Sequence, residues 1–527
     1  MDPAEIIEAA RTAVKADLLD EAVVLLDALG DLPSARLWLL RADLHRERCE
    51  PELALRALKR ACELGAGDEA RVRAALMWSP IMGDPVQLAV EWRRCSDALA
   101  NLAQEYLEIP DPVGALPWLD FYLAYRGRSD RTQREHLAAT LRRASPILTF
   151  EAPHVAGGAR PDGPVRLGIC SAHLKDHTIG RLNEALVRRL GSYGFTVVLC
   201  VPELADDPLA SAMAAGAGEV LVLGRDLVDA RARLSAARLD ILHYPDLGMD
   251  PFTTWLAFAR LAPVQTVSWG HPITSGLDTI DAFLASPALT PPGSQEDFTE
   301  RLVQLPDPMV CWTPPEPPAE RPRAQLGLPE GRRTYVVPQS AFKLHPDFDV
   351  ALRRIAEADP DGVIALLAPK RETWKQRLQA RIGLPSHQLV WLPGQPREGF
   401  LALLAQADVI LDPFPFGGGH TSLEALAVGT PIATLPTGQL RGRLTAAWYR
   451  TMGLAAFVAP DLAAYVDLAV GWANDPSARA RASAAIRARS DRLFRRSDAV
   501  AAHAAVFHQL VSEASREQVV QPMRRSA

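Results

Sequence analysis

The chain has 527 residues, a formal net charge of −6, 48% hydrophobic and 23% charged residues, which allows two to four domains of about 150 residues around sizeable cores. The mild acidity argues against a nucleic-acid binder driven by bulk charge, and ordinary hydrophobic content with 43 aperiodic prolines excludes collagen-like and low-complexity chains. Six scattered cysteines without a CxxC pair or zinc spacing read as reduced thiols of a cytoplasmic protein, and neither a signal peptide nor an apolar run of about 18 residues is visible, so no membrane span is expected.

Residues 1–150 read as helices, with apolar residues at three- and four-residue spacing. Trp38, Ala42, Ala54, Leu58 and Ala61 fall where a helix-turn-helix repeat of the tetratricopeptide (TPR) kind places its packing residues, and Ala10, Ala22 and Leu26 repeat the pattern one register earlier. The plainer alternative is a generic helical bundle with alanine at its contacts. Pro80, Pro85, Pro110 and Pro117 interrupt any further copy. Such an array exposes a concave groove suited to a protein or peptide partner.

From Val165 onward, short apolar runs alternate with helical segments: residues 165–170, 196–201, 219–223, 239–243, 264–269 and 282–285. A second set follows at 334–338, 363–367, 389–392, 409–411 and 431–435. This alternation predicts two parallel sheets with crossover helices, an N-terminal lobe over residues 160–310 and a C-terminal lobe over 325–515. Between them, seven prolines lie within 306–322. Proline lacks the amide donor and fixes φ, so this stretch is expected to be a semi-rigid connector. The predicted fold class is therefore α + α/β: a helical TPR-like front, then two Rossmann-like lobes facing across a cleft. That pairing resembles the GT-B architecture of nucleotide-sugar glycosyltransferases. Ligand is expected at the carboxyl ends of the strands.

The strongest local signal runs from Leu411 to Leu426. A strand ends, Gly417, Gly418 and Gly419 follow, and a helix opens at His420, Thr421 and Ser422. Consecutive glycines let backbone amides approach an anion, and a helix start adds partial positive charge. The hydroxyls of Thr421 and Ser422 can add donors, and Glu424, one turn on, can accept from ribose hydroxyls. The turn is neither a P-loop nor a dinucleotide fingerprint.

Gly417–Leu426 followed by Gly429-Thr430-Pro431 is similar to the sugar-nucleotide segment of O-linked N-acetylglucosamine (O-GlcNAc) transferases and their SPINDLY-like bacterial relatives. Further segments resemble that family in order: Arg166–Ser171 leading into Asp176-His177-Thr178-Ile179-Gly180; Leu261–Gln265, then Trp269–Gly276; Gln339–Pro346; and Leu440–Arg443. The resemblance spans residues 165–515. It implies an inverting transferase that moves a sugar, with UDP-GlcNAc the expected donor, onto Ser or Thr of a polypeptide held by the helical front, without a metal or other cofactor.

Within that resemblance, Lys343 stabilises the departing diphosphate and His177 orients or deprotonates the acceptor hydroxyl. His271 contacts the diphosphate or sugar. Gln339 and the Gly394-Gln395 loop line the nucleotide pocket, and Gly417–Ser422 with Glu424 hold the donor. Asp347-Phe348-Asp349 and Asp359-Pro360-Asp361 read as helix-start or turn acids, and the basic stretch 479–496 as a solvated helical face. A last helix near residues 499–510 is expected to return to the N-lobe. Alternatives remain: GDP-fucose or a CMP-nonulosonic acid as donor, with a bacterial protein such as flagellin as acceptor; nucleotide-sugar epimerisation; or a non-catalytic repeat scaffold.

Overall fold

Small residues at fixed spacing let helices approach closely, and the front of the molecule is built on that rule. In the computed structural model, which describes residues 2–156 and 163–525 and side chains as far as residue 516, α1 (Pro3–Lys15) packs against α2 (Leu19–Asp27), and α3 (Ala35–Glu47) against α4 (Pro51–Glu63). Ala10, Ala22 and Leu26 are buried in the first hairpin; Ala42, Ala54, Leu58 and Ala61 take the same places in the second. After the second hairpin the repeat lapses. A long helix over Pro85–Leu102, a 3-10 turn at Phe121–Tyr125 and a helix over Arg131–Ala144 carry the chain to the first lobe.

The N-lobe sheet contains β1 (Val165–Cys170), β2 (Phe195–Val201), β3 (Glu219–Val222), β4 (Ile241–Tyr244), β5 (Val264–Ser268), β6 (Ala282–Ala285) and β7 (Arg301–Gln304). All strands are parallel, in the order β3-β2-β1-β4-β5-β6-β7. The C-lobe sheet contains β8 (Thr334–Val337), β9 (Val363–Leu367), β10 (Leu389–Leu392), β11 (Val409–Leu411) and β12 (Ile432–Ala433), also parallel, in the order β10-β9-β8-β11-β12. Strand order reverses between β1 and β4 and between β8 and β11. These are the switch points where open parallel sheets bind ligands. Two such lobes with a shared cleft make a GT-B fold behind a helix-rich front.

The proline-rich residues 305–322 carry no regular secondary structure and join β7 to the C-lobe. β7 escapes the apolar-run search because it is four residues long, with Arg301 and Gln304 exposed at its ends. The expected lobe start at residue 160 lies outside the described residues. The basic stretch 479–496 is not one solvated helix: the helix ends at Arg487, Arg479 pairs with Asp408 at 3.2 Å, and Arg487 donates to the Val428 carbonyl. The last helix, Ser497–Arg525, crosses to the N-lobe, where His508 Nε2 meets the Tyr193 carbonyl at 2.8 Å and Glu513 pairs with Arg301 at 2.7 Å. Among the described residues, no helix is long and apolar enough to cross a membrane.

The front is fixed to both lobes. On the C-lobe, Arg371 pairs with Asp17 (2.6 Å) and Glu47 (2.5 Å), the Trp374 indole donates to the Glu47 carbonyl, and Arg381 donates to the Met82 carbonyl. On the N-lobe, Arg142 pairs with Asp278 at 2.6 Å and Thr299 donates to Glu135.

Candidate functional site

The glycine turn is folded by one carboxylate. Asp412, buried just past β11, accepts from the Gly418 amide at 2.6 Å and from the Thr434 hydroxyl at 2.8 Å. Burial pushes its pKa above the ordinary carboxylate value against those hydrogen bonds and Lys343. The Gly417 amide donates to the Arg441 carbonyl at 2.9 Å. The Ser422 hydroxyl meets that of Thr445 at 2.8 Å. Glu424 is 3% exposed, with its carboxylate 3.4 Å from His420 and 3.9 Å from Arg397. The expectation that Gly417, Gly418, Ser422 and Glu424 face the donor is corrected accordingly: the two glycine amides and the serine hydroxyl are already bonded inside the lobe, where they shape the turn, and the Glu424 carboxylate is buried beneath it.

The remaining candidates converge. A cavity of about 390 Å³ is lined by His177, Trp269 and His271 from the N-lobe, by Gln339, Lys343, Gly419, His420 and Thr421 from the C-lobe, and by Phe121 and Tyr125 from the front. It lies at the carboxyl ends of β1, β5, β8 and β11. A helix leaves its first amides without intrahelical acceptors, and the helix His420–Val428 opens at this wall. The cavity therefore meets amides of that first turn and the Lys343 ammonium. No carboxylate lines it among the described residues.

Lys343 ends a short 3-10 turn after β8. Its ammonium donates to Gln339 Oε1 at 3.0 Å and stands 4.9 Å from the centroid of the Phe416 ring. The Gln339 amide in turn donates to the Thr421 hydroxyl, so lysine, glutamine and helix start form one chain. Burial lowers Lys343 to about 8, opposed by Asp412. It remains charged at neutral pH.

His177 caps the helix Thr178–Arg189 through Nδ1, which accepts from the Ile179 amide at 3.2 Å. Its ring stacks on His173 at 4.5 Å. Burial, then neighbouring His173 and Arg181, lower its pKa to about 4. A neutral imidazole whose Nδ1 accepts carries its proton on Nε2. His177 is thus a donor rather than a base in this arrangement. His271 is stacked on Phe121 at 5.5 Å, its Nε2 is buried without a partner, and burial lowers its pKa to about 3. His420 sits edge-on to Trp312, its Nε2 also buried and unpartnered.

Sequence reasoning missed the aromatic wall. Phe121 and Tyr125 arrive from a proline-interrupted stretch with no motif; Phe342 and Phe416 meet them from the C-lobe. The Gly394-Gln395 loop does not line this cavity, although Phe400 just beyond it does.

Residues 315–500 match the sequence profile described as Glycosyl transferase family 41. That range holds the whole C-lobe sheet, Lys343 and the 417–424 turn. This lobe is a family 41 glycosyltransferase domain. Sequence relatives of the chain include a probable UDP-N-acetylglucosamine–peptide N-acetylglucosaminyltransferase SPINDLY of Petunia hybrida, 29% identical over 222 residues, covering 41% of this chain and 24% of that protein. A UDP-glucose:protein N-beta-glucosyltransferase of Actinobacillus pleuropneumoniae is 25% identical over 244 residues, covering 45% of this chain and 39% of that protein. The chain therefore matches well under two thirds of the length of these relatives. Among solved structures, a mutant of the O-GlcNAc transferase of Thermobaculum terrenum shares the fold across 98% of this chain and 99% of its own, with TM-score 0.73 and 22% identity. The chain thus shares the fold of that O-GlcNAc transferase from its helical front to its last helix.

Proposed function

We propose that the protein is an inverting glycosyltransferase of the cytoplasm that moves GlcNAc from UDP-GlcNAc to Ser or Thr of a polypeptide, without a metal. One observation carries the reading: Lys343 and the opening turn of the helix His420–Val428 meet in one cavity, lined by no carboxylate among the described residues, across from His177. The names of the relatives support a UDP-sugar donor and a protein acceptor, and they differ in the sugar, N-acetylglucosamine in one and glucose in the other.

In this mechanism the acceptor oxygen bonds to the anomeric carbon as that carbon's bond to the diphosphate breaks. Negative charge grows on the leaving nucleoside diphosphate. The Lys343 ammonium, held by Gln339 and partly desolvated, stabilises it together with the first-turn amides, as fixed dipoles do where water is excluded. His177 donates from Nε2 to orient the acceptor hydroxyl, whose proton passes to an oxygen of the departing diphosphate. Phe121 and Tyr125 place the helical front at the wall of the cavity, so a polypeptide gathered by the front reaches the anomeric carbon directly.

The test is a panel of UDP-GlcNAc, UDP-glucose, GDP-fucose and a CMP-nonulosonic acid, with donor turnover measured with and without a chelator. Expected is turnover of UDP-GlcNAc that a chelator leaves intact and that Lys343→Ala lowers by about 10²-fold or more. Turnover confined to another donor, or undiminished in Lys343→Ala, overturns the reading.

A further inference from the structure

A larger cavity lies on the other side of the glycine turn. It encloses about 690 Å³ between the helices Thr178–Arg189 and Pro208–Gly216 of the N-lobe, the strap at 311–315, and Arg397 of the C-lobe. It shares no lining residue with the Lys343 cavity. Trp312 contributes to its wall and packs edge-on to His420, at 5.2 Å between ring centroids, so one aromatic ring stands between this space and the donor turn.

Its charge is lopsided. Arg181, Arg188 and Arg189 project from one helix, and Arg397 from the opposite lobe. The acids on the lining are Asp176 and Glu184. Asp176 is held by Arg181 at 2.8 Å, and Glu184 by Arg188 at 2.6 Å. Arg189 has no carboxylate partner among the described residues; its side chain meets only Cys311 Sγ, at 3.8 Å. Arg397 stands 3.9 Å from Glu424, beyond hydrogen-bond reach. Arg189, without a carboxylate, and Arg397, held only loosely by Glu424 at 3.9 Å, thus face the cavity from the two lobes. The planar guanidinium fork matches phosphate oxygens two at a time. Pro208, Leu209 and Ala212 give the cavity an apolar floor, a combination of few charged groups and apolar wall that suits a small organic ion.

We propose that this cavity is a second anion site, separate from the donor cleft, that takes a di- or polyphosphate anion between Arg189 of the N-lobe and Arg397 of the C-lobe. A ligand there ties the two lobes together. It also draws Arg397 from Glu424, the residue beneath the donor turn.

Inorganic pyrophosphate, titrated calorimetrically into the full chain, tests the site. In Lys343→Ala, which disables the donor cleft, one pyrophosphate is still expected to bind. Adding Arg189→Ala weakens that binding by about tenfold, the loss of one charge-assisted contact, and Arg189→Ala with Arg397→Ala removes it. Arg189→Gln serves as a second variant, and thermal melts matching the parent show that the fold is intact. Absence of binding in Lys343→Ala overturns the proposal, because the donor cleft is then the anion site. Unchanged affinity in the double arginine variant overturns it as well.

Discussion

Arg441 and Asp130 form an ion pair at 2.7 Å with both side chains buried, joining the C-lobe to the helical front. Arg441 also donates to the Arg128 carbonyl, and its own carbonyl accepts from the Gly417 amide. One residue therefore anchors the front and one end of the glycine turn. Removing one partner of a buried pair strands the other's charge, which costs about 3–5 kcal/mol, whereas replacing both with apolar groups is far milder. Asp130→Ala is expected to destabilise by that amount in denaturant unfolding. Asp130→Leu combined with Arg441→Met is expected to recover most of it, and equal losses in single and double variants would contradict the pairing.

Lys343 predicts a pH dependence of both activity and stability. Its pKa is about 8 in the fold and about 10.4 in an unfolded chain. Between these values the unfolded chain binds more protons, so this group's contribution to stability rises with pH there. The charged lysine is a burden on the fold at pH 7 that fades by pH 10. Lys343→Met is expected to melt above the wild type at pH 7, with the gap closing toward pH 10. Donor kcat/KM of the wild type is expected to fall as pH rises through 8.

His177 does two jobs, and substitution separates them. Its Nδ1 caps a helix, a contact worth about 1 kcal/mol that Asn can replace and Ala cannot. His177→Asn is expected to melt like the wild type, and His177→Ala lower. Both are expected to retain donor hydrolysis while losing transfer to polypeptide. Because His177 titrates near 4, the transfer profile of the wild type is expected to show no inflection from this group between about pH 5 and 8.

Gly418 is fixed by space. A Cβ there would stand 2.4 Å from Ser422 Oγ and 2.8 Å from Gln339 Nε2. Gly418→Ala is expected to push Gln339 off Thr421 and to raise the donor KM by about tenfold, with little change in melting temperature. A donor KM equal to wild type would show that the Gln339–Thr421 link is not needed.

The sheets were legible because buried parallel strands read as apolar runs, and Lys343, Gln339 and His420-Thr421 because a strand end, glycines and a helix start leave marks in sequence. What escaped has physical causes. β12 covers only Ile432–Ala433 of the expected 431–435, since Pro431 has no amide to donate and Thr434 bridges to Val458 instead. Glu424, one turn into a helix, reads in sequence as an acceptor for ribose hydroxyls, and only the fold buries it beside His420 and Arg397. Phe121 and Tyr125 reach the cavity through long-range packing that carries no periodicity. The docking of the front rests on arginines such as Arg371 and Arg381, which in sequence are indistinguishable from solvated surface charge.

The arginine contacts of the front and the returning last helix have a mechanical consequence. Both lobes are gripped by the same helices on one side, through Arg371 and Arg441 on the C-lobe and Arg142 on the N-lobe, and laced again by Ser497–Arg525 on another. Swinging the lobes apart like a clamshell would tear several ion pairs at once. Local rearrangement of rim side chains such as Phe121, rather than wholesale hinge motion, is therefore the expected route for ligand exchange.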